Sequence, residues 1–177
     1  QRGLQQGQLN LDVECGPQDH IWLASSRGLL QWLPESERFQ PVPGAPATPI
    51  HALHVGRDGQ VWLSEDGRVS RYRWSQGRLE RQAVVGAEQG YPAISASGLV
   101  VDAQGVAWAT SARGLVRIGA DGQSVRLYGV HDGLPSQEFR EHTLVMSGDG
   151  HLVAGTPAGV VVFDPEQVRP SVRRAPL

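Results

Sequence analysis

The chain has no lysine, for all 16 of its cationic residues are arginine. A phosphate-loop lysine and a Schiff-base lysine are therefore excluded. One cysteine, Cys15, rules out an internal disulfide and any multi-cysteine zinc site, and its expected role is small buried apolar filler beside the first strand. The one methionine is Met146, so the sequence does not open on a start codon and reads as a mature or excised segment. No apolar run is long enough to span a bilayer, and no signal-peptide pattern is visible. Charge of either sign is scarce in runs. A formal net charge of -2 and a pI near 6.3 leave no electrostatic footprint for nucleic acid or an anionic membrane. Helical periodicity is missing as well, since apolar runs such as "IWLA" (21–24) and "GVVVF" (159–163) are short and broken by turn residues.

What is present is a repeat. The segments "PQDHIWLASSRGL" (17–29), "GRDGQVWLSEDGRV" (56–69), "DAQGVAWATSARGL" (102–115) and "SGDGHLVAGTPAGV" (147–160) write one unit four times. Trp22, Trp62, Trp108 and Val153 are spaced by 40, 46 and 45 residues, and Gly28, Gly67, Gly114 and Gly159 by 39, 47 and 45. Read this way, the second unit is one residue short between its tryptophan and its glycine, and the fourth lacks tryptophan. A period of this size belongs to propellers and solenoids. With 22 glycines, 12 prolines and 40% hydrophobic residues, the composition suits many short strands and tight turns.

Each unit is expected to form a four-stranded antiparallel meander. In the third the strands fall near Ile94 to Val101, Val106 to Thr110, Leu115 to Ile118 and Ser124 to Tyr128. The middle strands are apolar on consecutive residues, so both faces of each sheet must be covered, and the tryptophans serve as wedges between stacked sheets. The fold class is all-β: four β-propeller blades, about sixteen strands, over approximately 1–41, 42–85, 86–129 and 130–165, forming part of a larger propeller. Residues 166–177 read as a linker toward a further domain.

The pattern of tryptophan, small residue, serine or threonine, turn and Gly-Leu resembles the repeat of the two-component regulator propellers, found in periplasmic sensor regions of bacterial hybrid histidine kinases and some diguanylate cyclases. The segment "DGLPSQEF" (132–139) followed by "DGHLVAGTPAGVVVFDP" (149–165) resembles that family's closing blade. The resemblance implies a non-catalytic, periplasmic sensory module of a bacterial transmembrane signalling protein, without cofactor. Its implied partners are a small molecule or saccharide, or another propeller copy, with a homo-oligomer in the full-length protein. The alternatives are a metal-dependent propeller enzyme resembling the streptogramin lyases, and a protein-interaction scaffold.

Chemistry-bearing residues are few. His51 and His54 lie three apart on a strand, so their side chains diverge and no shared metal is expected. His131, Asp132, Glu138, Glu141 and His142 could imitate an acid-base set, but Asp132-Gly133 and Leu134-Pro135 read as turn chemistry. Meander topology puts the long connections (42–49, 86–93 and 129–138) on the same face as each turn between second and third strands. The opposite face carries minimal turns such as Asp58-Gly59 and Asp149-Gly150. The long-loop face collects Arg27, Glu65, Asp66, Tyr91, Arg113, His131 and Asp132, a mixture suited to polar ligands or sugars.

Overall fold

A serine or threonine closing the second strand of a unit organises the turn that follows. Ser25 Oγ donates to the Gly28 carbonyl at 2.8 Å while accepting the Arg27 N–H at 3.2 Å. Ser111 does the same toward Gly114 and Arg113, and Thr156 toward Gly159 and Ala158. Gly28, Gly114 and Gly159 take φ of 111°, 134° and 135°, which is why glycine follows each turn. The second unit solves the problem differently. Glu65 stands opposite Arg68 in the ladder, and the Arg68 guanidinium reaches Glu65 Oε2 at 2.7 Å. Positive φ moves into the turn itself, to Gly67 at 67°. The second unit is therefore not short: Arg68, not Gly67, holds the Gly28 position, and the turn spacing becomes 40, 46 and 45, matching the tryptophans.

The computed structural model describes residues 2–16 and 20–168. Blade I consists of β1 (Asn10–Cys15), β2 (Ile21–Ser25), β3 (Gly28–Leu33) and β4 (Arg38–Pro41), and blade II of β5 (Ala52–Val55), β6 (Gln60–Glu65), β7 (Arg68–Ser75) and β8 (Arg78–Val85). Blade III consists of β9 (Gly98–Val101), β10 (Ala107–Ser111), β11 (Gly114–Ile118) and β12 (Val125–Tyr128), and blade IV of β13 (Val145–Met146), β14 (Leu152–Thr156) and β15 (Gly159–Phe163). Each is an antiparallel meander in sequence order. The all-β propeller architecture is present, with fifteen strands among the described residues rather than sixteen, because blade IV shows three. Residues 165–167 form a single 3-10 turn, and most of the expected linker lies outside the described residues.

Three apolar cores hold the blades in series. Trp22, Ala24 and Leu29 of blade I pack with Leu53, Val61 and Leu79 of blade II. Trp62 and Val69 of blade II pack with Leu99, Ala107 and Val116 of blade III. Trp108 and Leu115 of blade III pack with Leu152, Ala154 and Val161 of blade IV. The three tryptophans, at most 1% exposed, occupy equivalent ladder positions. Each drives a large apolar wedge into the next sheet. Arg71 and Arg117 lie over the rings of Trp62 and Trp108 from the adjoining strand. Asp102 accepts the Trp108 indole N–H at 2.9 Å; Gly16 and Gly56 hold the matching turn positions, and the Trp22 and Trp62 indoles have no such acceptor.

Among the described residues no fourth core joins blade IV to blade I. Leu9 and Val13 are exposed on one end, and Val145, Val160 and Val162 on the other. Cys15 belongs to the first of these ends and is exposed, not buried filler. Strand alternation explains this: Asp12 and Glu14 turn toward blade II, so Val13 and Cys15 turn away from it.

Candidate functional site

Topology fixes which side chains share a face. The turns after β2, β6 and β10, together with the connections 42–51, 86–97 and 129–144, lie at one end of the blades. Arg27 is exposed in the first of these turns, its guanidinium hydrogen-bonded to Gln5. Arg113 is exposed in the equivalent turn of blade III. Two predicted ligand residues are not free. Glu65 is 2% exposed and accepts hydrogen bonds from Arg68, Ser70 and Thr48. Burial works to raise its carboxyl, but these bonds outweigh it and hold the group below the ordinary carboxylate range. Tyr91 is also 2% exposed, within the core between blades II and III, and burial pushes its phenol up. A loop residue became a core residue here because the connection folds its ring down between two sheets.

Asp66 is exposed and joins two histidine- and serine-bearing connections. His51 Nε2 donates to its Oδ1 at 2.8 Å and Ser95 Oγ to the same oxygen at 3.0 Å. These bonds, that from His51 foremost, hold the carboxyl below its usual range. His54 points elsewhere, to Glu14 at 3.6 Å, so the two histidines diverge as strand geometry requires. His131 and Asp132 are brought together. Both line a groove of about 800 Å³ along β12, with Gln89, Arg117, Arg126 and Tyr128. Asp132 Oδ2 accepts the Gly129 N–H at 3.0 Å, and Arg126 reaches Oδ1 at 2.8 Å; both keep this carboxyl low. The Arg126 guanidinium also lies 4.5 Å from the Tyr128 ring centre.

Sequence reasoning missed the inner strands. Asp12 accepts the N–H groups of Leu53 and Val13, with His142 Nδ1 3.9 Å away. Its carboxyl is raised, by burial first and by the Glu14 charge, against the pull of the hydrogen bonds and of His142. Alternation in "NLDVEC" (10–15) signalled that Asp12 and Glu14 share a face, but not that the face meets blade II. Among the described residues, no group of three histidine, cysteine or acidic side chains is placed to hold a metal ion.

No family model matches the chain. A stretch of 74 residues, 42% of the chain, is 31% identical to Histidine kinase P4 of Formosa agariphila and covers 5% of that kinase. Among solved structures, the extracellular domain of the hybrid two-component system BT3049 from B. thetaiotaomicron superposes with a TM-score of 0.67 at 16% identity, over 89% of this chain and 22% of that one. The fold is similar to that of two-component sensor propellers. The gluconolactonase XC5397 of Xanthomonas campestris shares it too, with a TM-score of 0.65 at 16% identity, over 90% of this chain and 59% of that one. The chain thus spans a small part of the kinase and sensor proteins it resembles.

Proposed function

We propose that this chain is a non-catalytic recognition segment of a bacterial transmembrane receptor, working outside the cytoplasm, whose long-loop face takes a small polar ligand such as a saccharide. One observation carries this reading: the carboxylates on that face, Asp66 and Asp132, are held as anions by bonds to His51, Ser95, Arg126 and Gly129. Such groups are pre-set hydrogen-bond acceptors rather than acids or bases poised near neutral pH. The likeness to sensor extracellular domains and the kinase stretch support the same reading. A bound ligand would signal by favouring one of two receptor arrangements for which its affinities differ.

Calorimetry against a panel of neutral and acidic oligosaccharides tests it. Saturable binding is expected, weakened roughly tenfold or more by Asp66→Ala or His131→Ala, with the ligand recovered unchanged. Ligand consumption, or binding indifferent to both changes, overturns it. A second reading, a hydrolytic enzyme, is favoured by one feature: Asp12, whose raised carboxyl lies beside His142. Lactone turnover that disappears in Asp12→Asn would replace the first reading with this one.

A further inference from the structure

The outer strands of the first three blades are treated differently, and the difference marks a site. In blade II the chain arriving from blade I lies against β8: the Leu79 N–H donates to the Pro43 carbonyl at 2.8 Å. In blade I residues 2–3 take the same place, and the Phe39 N–H donates to the Arg2 carbonyl at 2.8 Å. Both contacts depend on the glycine that follows. Gly44 and Gly3 have φ of 81° and 88°, and a Cβ there would sit 2.2 Å from the Leu79 oxygen and 2.1 Å from the Phe39 oxygen. Only glycine lies that close to the strand.

In blade III the ladder register makes Val125 the counterpart of Phe39, Leu79 lying two residues nearer its turn than that position, and makes Gly86 and Ala87 the counterparts of Pro43 and Gly44. Alanine now stands where a side chain would strike the strand. The connection turns away instead into a 3-10 turn at Ala87–Gln89, and the Gly86 carbonyl accepts the N–H groups of Gln89 and Tyr91. Among the described residues no main-chain carbonyl reaches the Val125 N–H from outside the sheet. The space the connection vacates is the 800 Å³ groove along β12. Its floor is a free strand edge, because Val125 and Leu127 alternate with the residues bonded inward to β11 and aim their backbone groups outward.

We propose that the β12 edge is a strand-acceptor site for an extended peptide segment containing glycine. A residue of that segment presents its carbonyl to the Val125 N–H, and the glycine after it lies against the Val125 carbonyl, as Arg2-Gly3 does on Phe39 of β4. Main-chain bonding of this kind supplies affinity, and the requirement for glycine supplies specificity.

A synthetic peptide of sequence VPGAPATP, the segment 42–49, is the probe, added to the ¹⁵N-labelled chain and followed by amide spectra and hydrogen exchange. Shifts confined to β12, Gln89 and His131 are expected, with exchange at Val125 and Leu127 slowed. The peptide with alanine in place of glycine should bind at least about tenfold more weakly. Leu127→Pro removes an outward N–H without cutting a bond to β11, so it should abolish binding while the spectrum stays folded. Ala87→Gly, which lets the chain's own connection lie down on β12, should weaken binding even if the proline variant fails to fold. Equal affinity for the alanine peptide, or shifts centred on the exposed ends of blades I and IV, overturns the assignment.

Discussion

Blades III and IV are built on the same repeat and live in different surroundings. Every residue of β10 is buried, whereas β14 alternates, with Leu152, Ala154 and Thr156 inside and Val153 and Gly155 half-exposed. Ladder partners make the contrast sharper. Leu115 and Val160 follow equivalent glycines, yet Leu115 is 3% exposed and Val160 66%. In this architecture a residue's burial is decided by whether another sheet lies over it, and the unit's own sequence decides only which face it points from. Blade IV keeps valines at positions 145, 160 and 162 where no described residue covers them. Soluble surfaces seldom gather aliphatic side chains in one contiguous patch.

The largest test of this contrast is at the wedge. Trp108→Ala should cost about 3 to 5 kcal/mol by urea denaturation, the usual range for a large buried aromatic. Val153→Ala, at the same position of blade IV, should cost less than about 1 kcal/mol, since its site is already half open. Next in size, Leu115→Ala should lose about 2 to 5 kcal/mol, against no more than about 0.5 kcal/mol for Val160→Ala. Equal losses within either pair would mean that the uncovered face of blade IV is covered in solution.

A smaller effect is expected at the turn that replaces glycine with an ion pair. Glu65→Ala strands the hydroxyls of Ser70 and Thr48 and should cost about 1 to 3 kcal/mol. Ser25→Ala, which removes the ordinary turn device in blade I, should cost about 1 kcal/mol. Smallest is a pH effect at the inner strands. Because the folded Asp12 carboxyl is raised, its contribution to stability is greatest below the unfolded value and is lost as pH rises through the folded one. Asparagine does not titrate, so Asp12→Asn should gain stability relative to the native chain as pH rises through the acidic range. Melting curves from low pH to neutrality read this directly, and a trend of opposite sign would show that the hydrogen bonds from Leu53 and Val13 dominate burial.

Much of the fold was legible because its signals are local. The apolar strands, the tryptophan wedge and the serine that ties its turn all lie within a few residues of one another, so the blades could be read unit by unit. The long-loop residues could not. Tyr91 looked like a surface aromatic, and its ring sits in a core made by two sheets. Glu65 looked like a turn charge, but Arg68 stands where other units have glycine, and the pair closes the turn. Cys15 looked like filler because its neighbours are strand-like; which way it faces depends on Asp12 and Glu14 bonding to Leu53 and Val55 of the next blade. A capping signal was present and unread: Gly86 with Gln89, and Gly129 with Asp132, share a spacing at which the side chain returns to the glycine N–H. It marks the two connections that curl instead of lying down.

Three cores joined end to end have a consequence for cooperativity. Among the described residues each core joins sequence neighbours, so this stretch of four blades is a nearest-neighbour array in which blades I and IV share one such core each and blades II and III two. Thermal opening of the isolated segment should begin at the blades that share a single core, I and IV. The backbone amides of β6 and β10 then become the last to exchange with solvent, well after those of β1 and β15.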